Sequence, residues 1–327
     1  MGRAPSCPKM ACMQSAAELL PALLEGWPRA VARAISWMEN GHPQARPLMA
    51  SLWPHLGRAT VVGITGSPGA GKSTLTDQLA RRLLAEGRRV GILAVDPSSP
   101  FSGGALLGDR IRMAGSSQAA GAFIRSMATR GALGGLARAT QDAIDVLDAA
   151  GFDWILVETV GVGQDEVDVV SCVHTCCVVL VPGMGDEIQA IKAGIMEVAD
   201  LFIINKSDRD GVEALERELE AMKSLSAARP WDPPALRTVA AQGAGLGEVL
   251  EAVRRHGAWL RQAGGLARKA RERARLRFRA LLAEEATRIC LARFGMDRSE
   301  ALVEAIAAHR IDPYSAVAEV LEGPGPT

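Results

Sequence analysis

The stretch "GSPGAGKS", Gly66 to Ser73, limits what this chain can fold into more than any other feature. It matches G-x-x-x-x-G-K-[ST] in full, and it lies between the apolar run "RATVVGIT" (58–65) and the amphipathic stretch "STLTDQLARRLLAEG" (73–87). A strand that feeds a glycine loop opening a helix is the context the motif requires. The glycines let backbone N–H groups wrap a phosphate chain, and the helix N-terminus adds a favourable dipole. Gly66, Ser67, Pro68, Gly69, Ala70, Gly71, Lys72, Ser73 and Thr74 are therefore candidate nucleotide-binding residues. Lys72 has the reach for the β- and γ-phosphates, and the Ser73 hydroxyl is a candidate Mg²⁺ ligand. The bland alternative is an ordinary glycine turn, which the strand–loop–helix context disfavours.

The rest of the chain repeats that alternation. Strands are predicted at "RRVGILAVDP", "DWILVETVG", "TCCVVLVPG", "DLFIINKSD" and "ALRTVAAQ". Helices are predicted at "LARATQDAIDVLDAAG", "EIQAIKAGIMEVA", 211–228 and 246–263, and a long glycine-rich stretch occupies 100–122. Continuous apolar strands alternating with helices indicate an α/β fold, a doubly wound, mostly parallel sheet of the P-loop NTPase type. Residues 14–56 read as helices broken by Pro21 and Pro28. Beyond about residue 264 only helical patterns remain, a long one and then "SEALVEAIAAHR". The division expected is an N-terminal helical segment (1–57), a nucleotide-binding domain (58–263) and a helical C-terminal arm (264–327).

The base is chosen elsewhere. Asn205, Lys206 and Asp208 form N-K-x-D at the end of an apolar strand. A carboxylate at Asp208 accepts from the guanine ring N–H and its exocyclic amine, a pair of donors adenine does not offer on that edge. Asn205 either contacts N7 or braces the phosphate loop, and the Lys206 stem can lie over the base. A polar turn is the alternative, but the position downstream of a phosphate loop favours guanine and hence GTP or GDP. "TVAAQG" (238–243) then supplies a weaker base-contacting loop with Val239, Ala240 and Ala241. Two acids end strands, Asp96 in "AVDP" and Glu158 in "WILVE". Strand C-termini are where a doubly wound sheet binds ligand. Asp96, Glu158 and Ser73 form a plausible Mg²⁺ environment, directly or through water. Gly161 and Gly163 in the loop after Glu158 permit rearrangement.

Composition excludes several classes. The 327 residues are 48% hydrophobic and 23% charged with zero net charge, so no overall field draws the chain to nucleic acid or membrane. Six cysteines in a chain this long do not make a disulfide framework, and a reducing, cytoplasmic setting fits them. No run approaches the ~20 apolar residues of a membrane span, the N-terminus carries no apolar core of signal-peptide length, and "MGRAPS" is only a loose match to a myristoylation pattern.

Together, "GSPGAGKST", "AVDPSSPFSGGALLGDRIRM", "ETVGVGQDEVD", "VPGMGDEIQAIKAG" and "NKSD" resemble the MeaB/ArgK family of P-loop GTPases. The resemblance runs from about 15 to 320 and is most specific from 61 to 208. It implies a G protein that gates adenosylcobalamin loading onto an acyl-CoA mutase, methylmalonyl-CoA mutase or a relative, and protects that mutase. It places Asp96 and Asp109 in switch I, Glu158 in switch II near Mg²⁺, and Gln189 and Lys192 in a third switch that answers the partner. It also implies that the C-terminal helices pair two copies. Departures are Arg110 where the family often has Lys, a cysteine-rich "SCVHTCCVV", and Val239 where Ser is common.

Asp96 or Asp109 is expected to orient the attacking water, and Lys192 to supply a cation when the partner binds. Val162 stands where a water-positioning glutamine is usual, so hydrolysis by the chain alone should be slow. Three rival readings have a basis in the residues. Cys172, His174 and Cys176 alternate and could form a metal-delivery site, against the alternative of small core residues on a buried strand. The basic run 261–279 could contact nucleic acid, although a solvated or dimer-forming helix is the commoner explanation. A small-molecule or transport kinase would need an acceptor pocket, and no segment is committed to one.

Overall fold

The computed structural model describes residues 14–96, 120–128, 135–159, 171–183, 198–225 and 229–322. The chain divides into two compact units, Met1–Leu266 and Ala267–Thr327.

The first unit opens with three helices, α1 (Ala16–Leu24), α2 (Pro28–Glu39) and α3 (Ala45–Leu52). Ser15 starts α1 with a reciprocal capping box: its hydroxyl accepts from the Glu18 N–H, and Glu18 accepts from the Ser15 N–H. Pro21 does not break this helix, contrary to its reading as a breaker. It lies inside α1, and the apolar anchoring of Leu19 and Leu23, both fully buried, offsets the lost hydrogen bond. Pro28 does act at a boundary, as the first residue of α2.

The sheet then follows: β1 (Thr60–Gly66), α4 (Lys72–Ala85), β2 (Val90–Asp96), β3 (Ala122–Ala128), α5 (Gly135–Ala149), β4 (Trp154–Thr159), β5 (Thr175–Leu180), β6 (Leu201–Asn205), α6 (Val212–Leu225), β7 (Ala235–Thr238) and α7 (Leu246–Gln262). Among the described residues, seven strands lie in the order β3-β2-β4-β1-β5-β6-β7, all parallel. β4, β5 and β6 are buried along their whole length because helices cover both faces. One face packs against α1, α2, α3, α5 and α6. The other packs against α4 and α7. The N-terminal helices thus share a core with the sheet.

Two strands differ from their sequence reading. β3 is an additional strand at the sheet edge. Its "AFIRSMA" carries Arg125 and Ser126 and follows a glycine-rich stretch, so it lacks the apolar run of a central strand. The last strand is shorter than "ALRTVAAQ": it stops at Thr238, and residues 240–242 form a 3-10 turn. The backbone N–H of Ala240 is taken by the Asn205 side chain at 3.0 Å and so leaves the ladder.

The second unit is helical. α8 (Gly265–Phe294) runs into it, followed by α9 (Met296–Ala307) and α10 (Pro313–Glu322). α10 was not anticipated. Its start is nonetheless written in Asp312–Pro313: Asp312 Oδ1 accepts from the N–H groups of Tyr314 and Ser315 at 2.9 and 3.0 Å.

Candidate functional site

The loop after β1 turns on three glycines in the left-handed region, Gly66, Gly69 and Gly71 (φ 138°, 76° and 89°). Two of them are also held by close approach. A Cβ on Gly66 would stand 2.2 Å from the Val179 carbonyl oxygen, and one on Gly71 2.4 Å from Asn205 Nδ2. At Gly69 the space is open. Pro68 and Gly69 are exposed at the mouth, while Ser67 and Ala70 are buried beneath it. Gly71 caps α4, so Lys72, Ser73 and Thr74 form its first turn.

Lys72 is buried, and its ammonium donates to the carbonyl oxygens of Gly66 (2.6 Å) and Ser67 (2.9 Å). A buried ammonium must be matched by acceptors. Phosphate oxygens are acceptors of the same kind with more charge, so the cation lies where an entering phosphate chain gains most.

Glu158 is the second element of the site. It stands in register with Ile64 of β1, one strand away, and the Ser73 hydroxyl donates to its Oε1 at 2.5 Å. The two residues are 85 positions apart in sequence, and parallel pairing of β1 with β4 brings them together. Hard oxygen donors from a serine and a carboxylate suit Mg²⁺, which takes one or two protein ligands and completes its shell with water and phosphate. The donor set therefore fits the ion. Asp96 ends β2, where its backbone pairs with Ala128 of β3. Asp109, Gln189 and Lys192, together with Val162 and the glycines after Glu158, lie outside the described residues.

The third element is the turn after β6. Asn205 is buried and donates to the Ala70 carbonyl of the phosphate loop at 2.8 Å. Its Oδ1 accepts from the Ala240 N–H (3.0 Å) and the Thr238 hydroxyl (3.2 Å). Of the two uses open to it, Asn205 is seen bracing the phosphate loop, and it ties that loop to the 238–243 turn. Lys206 has φ 56°, and its ammonium donates to the Gly69 carbonyl at 2.8 Å. The turn is held by Ser207 N–H to the Thr238 carbonyl and Arg209 N–H to the Lys206 carbonyl, both 3.0 Å. Asp208 is exposed, Val239 half-buried and Ala241 exposed, all along this rim.

One link was not foreseen. The Thr159 hydroxyl donates to the Thr65 hydroxyl at 3.0 Å, tying the end of β4 to the strand before the phosphate loop. A threonine in an apolar strand carries no signal of such a partner.

The cysteine cluster has a different character. Cys172 and Cys176 are buried in the apolar layer, and His174 Nδ1 accepts from the Val61 N–H at 3.2 Å. Burial, with the Asp200 carboxylate second, pushes the neighbouring Cys177 thiol far above its ordinary value, against a thiolate ligand. Among the described residues, no group of three or more His, Cys, Asp or Glu side chains is placed to hold a metal ion.

Residues 31–293 match the family model described as methylmalonyl-CoA mutase-associated GTPase MeaB. The chain belongs to the MeaB family of GTPases. A protein of Pyrococcus horikoshii named "Putative GTPase" is 46% identical over 318 residues, covering 95% of this chain and 98% of its own. A mouse protein named methylmalonic aciduria type A homolog, mitochondrial, is 38% identical over 270 residues, 77% of this chain and 65% of its own. A crystal structure described as LAO/AO transport system kinase superposes with a TM-score of 0.70 at 28% identity, over 97% of this chain and 99% of that one. As a MeaB-family member the protein is a GTPase that binds GTP and GDP. No helix among the described residues is long and apolar enough to cross a membrane.

Proposed function

We propose that the protein is a GTP-hydrolysing chaperone for an adenosylcobalamin-dependent acyl-CoA mutase, gating cofactor loading and protecting the loaded enzyme. The family description, which associates its members with methylmalonyl-CoA mutase, supports the partner. The carrying observation for the chemistry is the meeting of Lys72, Ser73 and Glu158 at the phosphate loop.

The reaction takes GTP and water to GDP and phosphate. Loop N–H groups and Lys72 hold the phosphates and offset the charge that builds on the transferring group. Ser73 and Glu158 would hold Mg²⁺, with Asp96 a further candidate ligand, and the ion when bound would neutralise phosphate charge. Asp208 selects guanine, Asn205 keeps the base turn and phosphate loop in register, and Val239, Ala240 and Ala241 close the base side. Asp96 or Asp109 orients the water. Val162, not glutamine, directly follows Gly161, so turnover is slow until the partner supplies what is missing, with Lys192 as the responding cation.

Two copies pair through the C-terminal arm. Support comes from the arm's own surface, where Leu276, Phe278, Leu282, Met296, Tyr314 and Leu321 are each at least half exposed.

The test is hydrolysis of GTP and of ATP with and without the mutase. Slow, GTP-selective turnover that rises sharply with the mutase is expected. Fast turnover alone, or a preference for ATP, would overturn the reading. Lys192→Ala should remove the stimulated rate and leave the basal rate; unchanged stimulation would sink that assignment alone.

A further inference from the structure

The sheet face under α4 carries two successive rows of side chains across β1, β4, β2 and β3. The first is Val62, Leu156, Ile92 and Ile124, paired in register. All four pack in the apolar layer beneath α4 and α7. The next row lies two residues nearer the strand ends and so on the same face. It is Ile64, Glu158, Ala94 and Ser126.

Only Ile64 of that row joins the apolar layer. Glu158 is the carboxylate that meets Ser73. Ala94 is 3% exposed yet belongs to neither hydrophobic cluster. Ser126 Oγ is buried with no hydrogen-bond partner among the described residues. A buried hydroxyl left unpaired destabilises a fold relative to a methyl group in the same place, so its presence calls for a partner that comes with function. The polar row lies at the level of the candidate cation site, and the next row down is apolar throughout.

Adjacent strands are ~4.8 Å apart, so the backbones at Glu158 and Ser126 are about 10 Å apart with one methyl side chain between them. Allowing for the two side chains, the remaining gap is too wide for a direct hydrogen bond and suits a bridge through solvent. We propose that Ser126 is a positioning residue for the solvent shell at Glu158. Its hydroxyl holds an ordered water over Ala94, and that water hydrogen-bonds the solvent carried by Mg²⁺ at Ser73 and Glu158. Ala94 keeps the space open. The inference rests on the reading of Ser73 and Glu158 as the magnesium site.

The test is equilibrium binding of a non-hydrolysable GTP analogue to the full chain, in saturating Mg²⁺ and in EDTA. Wild type should bind more tightly with Mg²⁺. In Ser126→Ala that Mg²⁺-dependent gain should shrink about three- to tenfold, the worth of one hydrogen bond, while affinity in EDTA is unchanged. Ser126→Thr, which retains a hydroxyl, should preserve the gain, and Ala94→Val, which fills the space, should lose it. The nucleotide-free Ser126→Ala protein should melt no lower than wild type. An unchanged Mg²⁺ gain in Ser126→Ala, or equal weakening with and without Mg²⁺, overturns the role of Ser126 and leaves the magnesium reading standing. A wild type indifferent to Mg²⁺ removes both.

Discussion

On the proposed reading Lys72 and Asp208 bind nucleotide by opposite means, and their variants should fail differently. Lys72 is buried among loop carbonyls. Lys72→Ala should lower GTP hydrolysis by ~100-fold or more, since one preorganised charge contact to a developing anion is worth that much, while the circular dichroism spectrum stays unchanged. Asp208 is exposed on its turn, and its proposed role is to the base alone. Asp208→Asn should weaken GTP by about 100-fold or more and favour xanthosine triphosphate, because an amide donates to the carbonyl that replaces the guanine amine. Competition binding with the two nucleotides reads this directly, and equal losses for both would refute the assignment. These residues were legible because their spacing is itself the chemistry. The bracing of Asn205 was not, because its partners at Ala70 and Ala240 lie 135 and 35 residues away.

The elements of the site are joined by close backbone approach, and this sets the tolerance of each glycine. Gly69→Ala meets open space and only the left-handed strain, so it should cost roughly 1–2 kcal/mol of stability. Gly71→Ala adds a collision with Asn205 Nδ2 at 2.4 Å. It should cost about 2–3 kcal/mol and should also loosen the tie between phosphate loop and base turn, seen as weaker GDP binding. Denaturant titration of the two variants makes the comparison. On the far edge, the Arg237 side chain on β7 donates to Glu216 on α6 and holds its carboxyl below the ordinary value. A depressed pKa gives stability above the unfolded carboxylate value, about 4.3, that is lost as pH falls through the folded one. Both side chains are about a third or more exposed, so Glu216→Gln should destabilise only slightly at pH 7 and not at all in acid. Most strands and helices were readable from apolar periodicity. β3 was not, because Arg125 and Ser126 interrupt its pattern. Arg125 is accommodated by Ser36 and Glu39 of α2, a contact made only after the helices dock.

For the whole molecule, every described residue of the nucleotide site falls within Met1–Leu266. A chain ending at Leu266 should therefore fold, bind GDP within about threefold of the full protein and hydrolyse GTP at the basal rate. If the arm pairs two copies, light scattering should find the full protein dimeric and the shortened chain monomeric. A monomeric full protein would refute the pairing without touching the GTPase reading.

The sequence alone points to the local chemistry. "GSPGAGKS" after an apolar strand has the pattern of a phosphate cradle, "NKSD" has the pattern of a guanine-selecting turn, and alternating strands and helices demand a parallel sheet. Those features are short, and their physics acts between neighbours in the chain. The tertiary structure decided what depends on distant partners. Parallel pairing of β1 with β4 brings Glu158 to Ser73, and packing of α2 and α3 on α5 draws the N-terminal helices into the sheet's own core. The placing of β2 between β3 and β4 lines Ser126 up with Glu158 across Ala94. Strand order and register follow from the global packing of apolar faces, and no local run of residues encodes them.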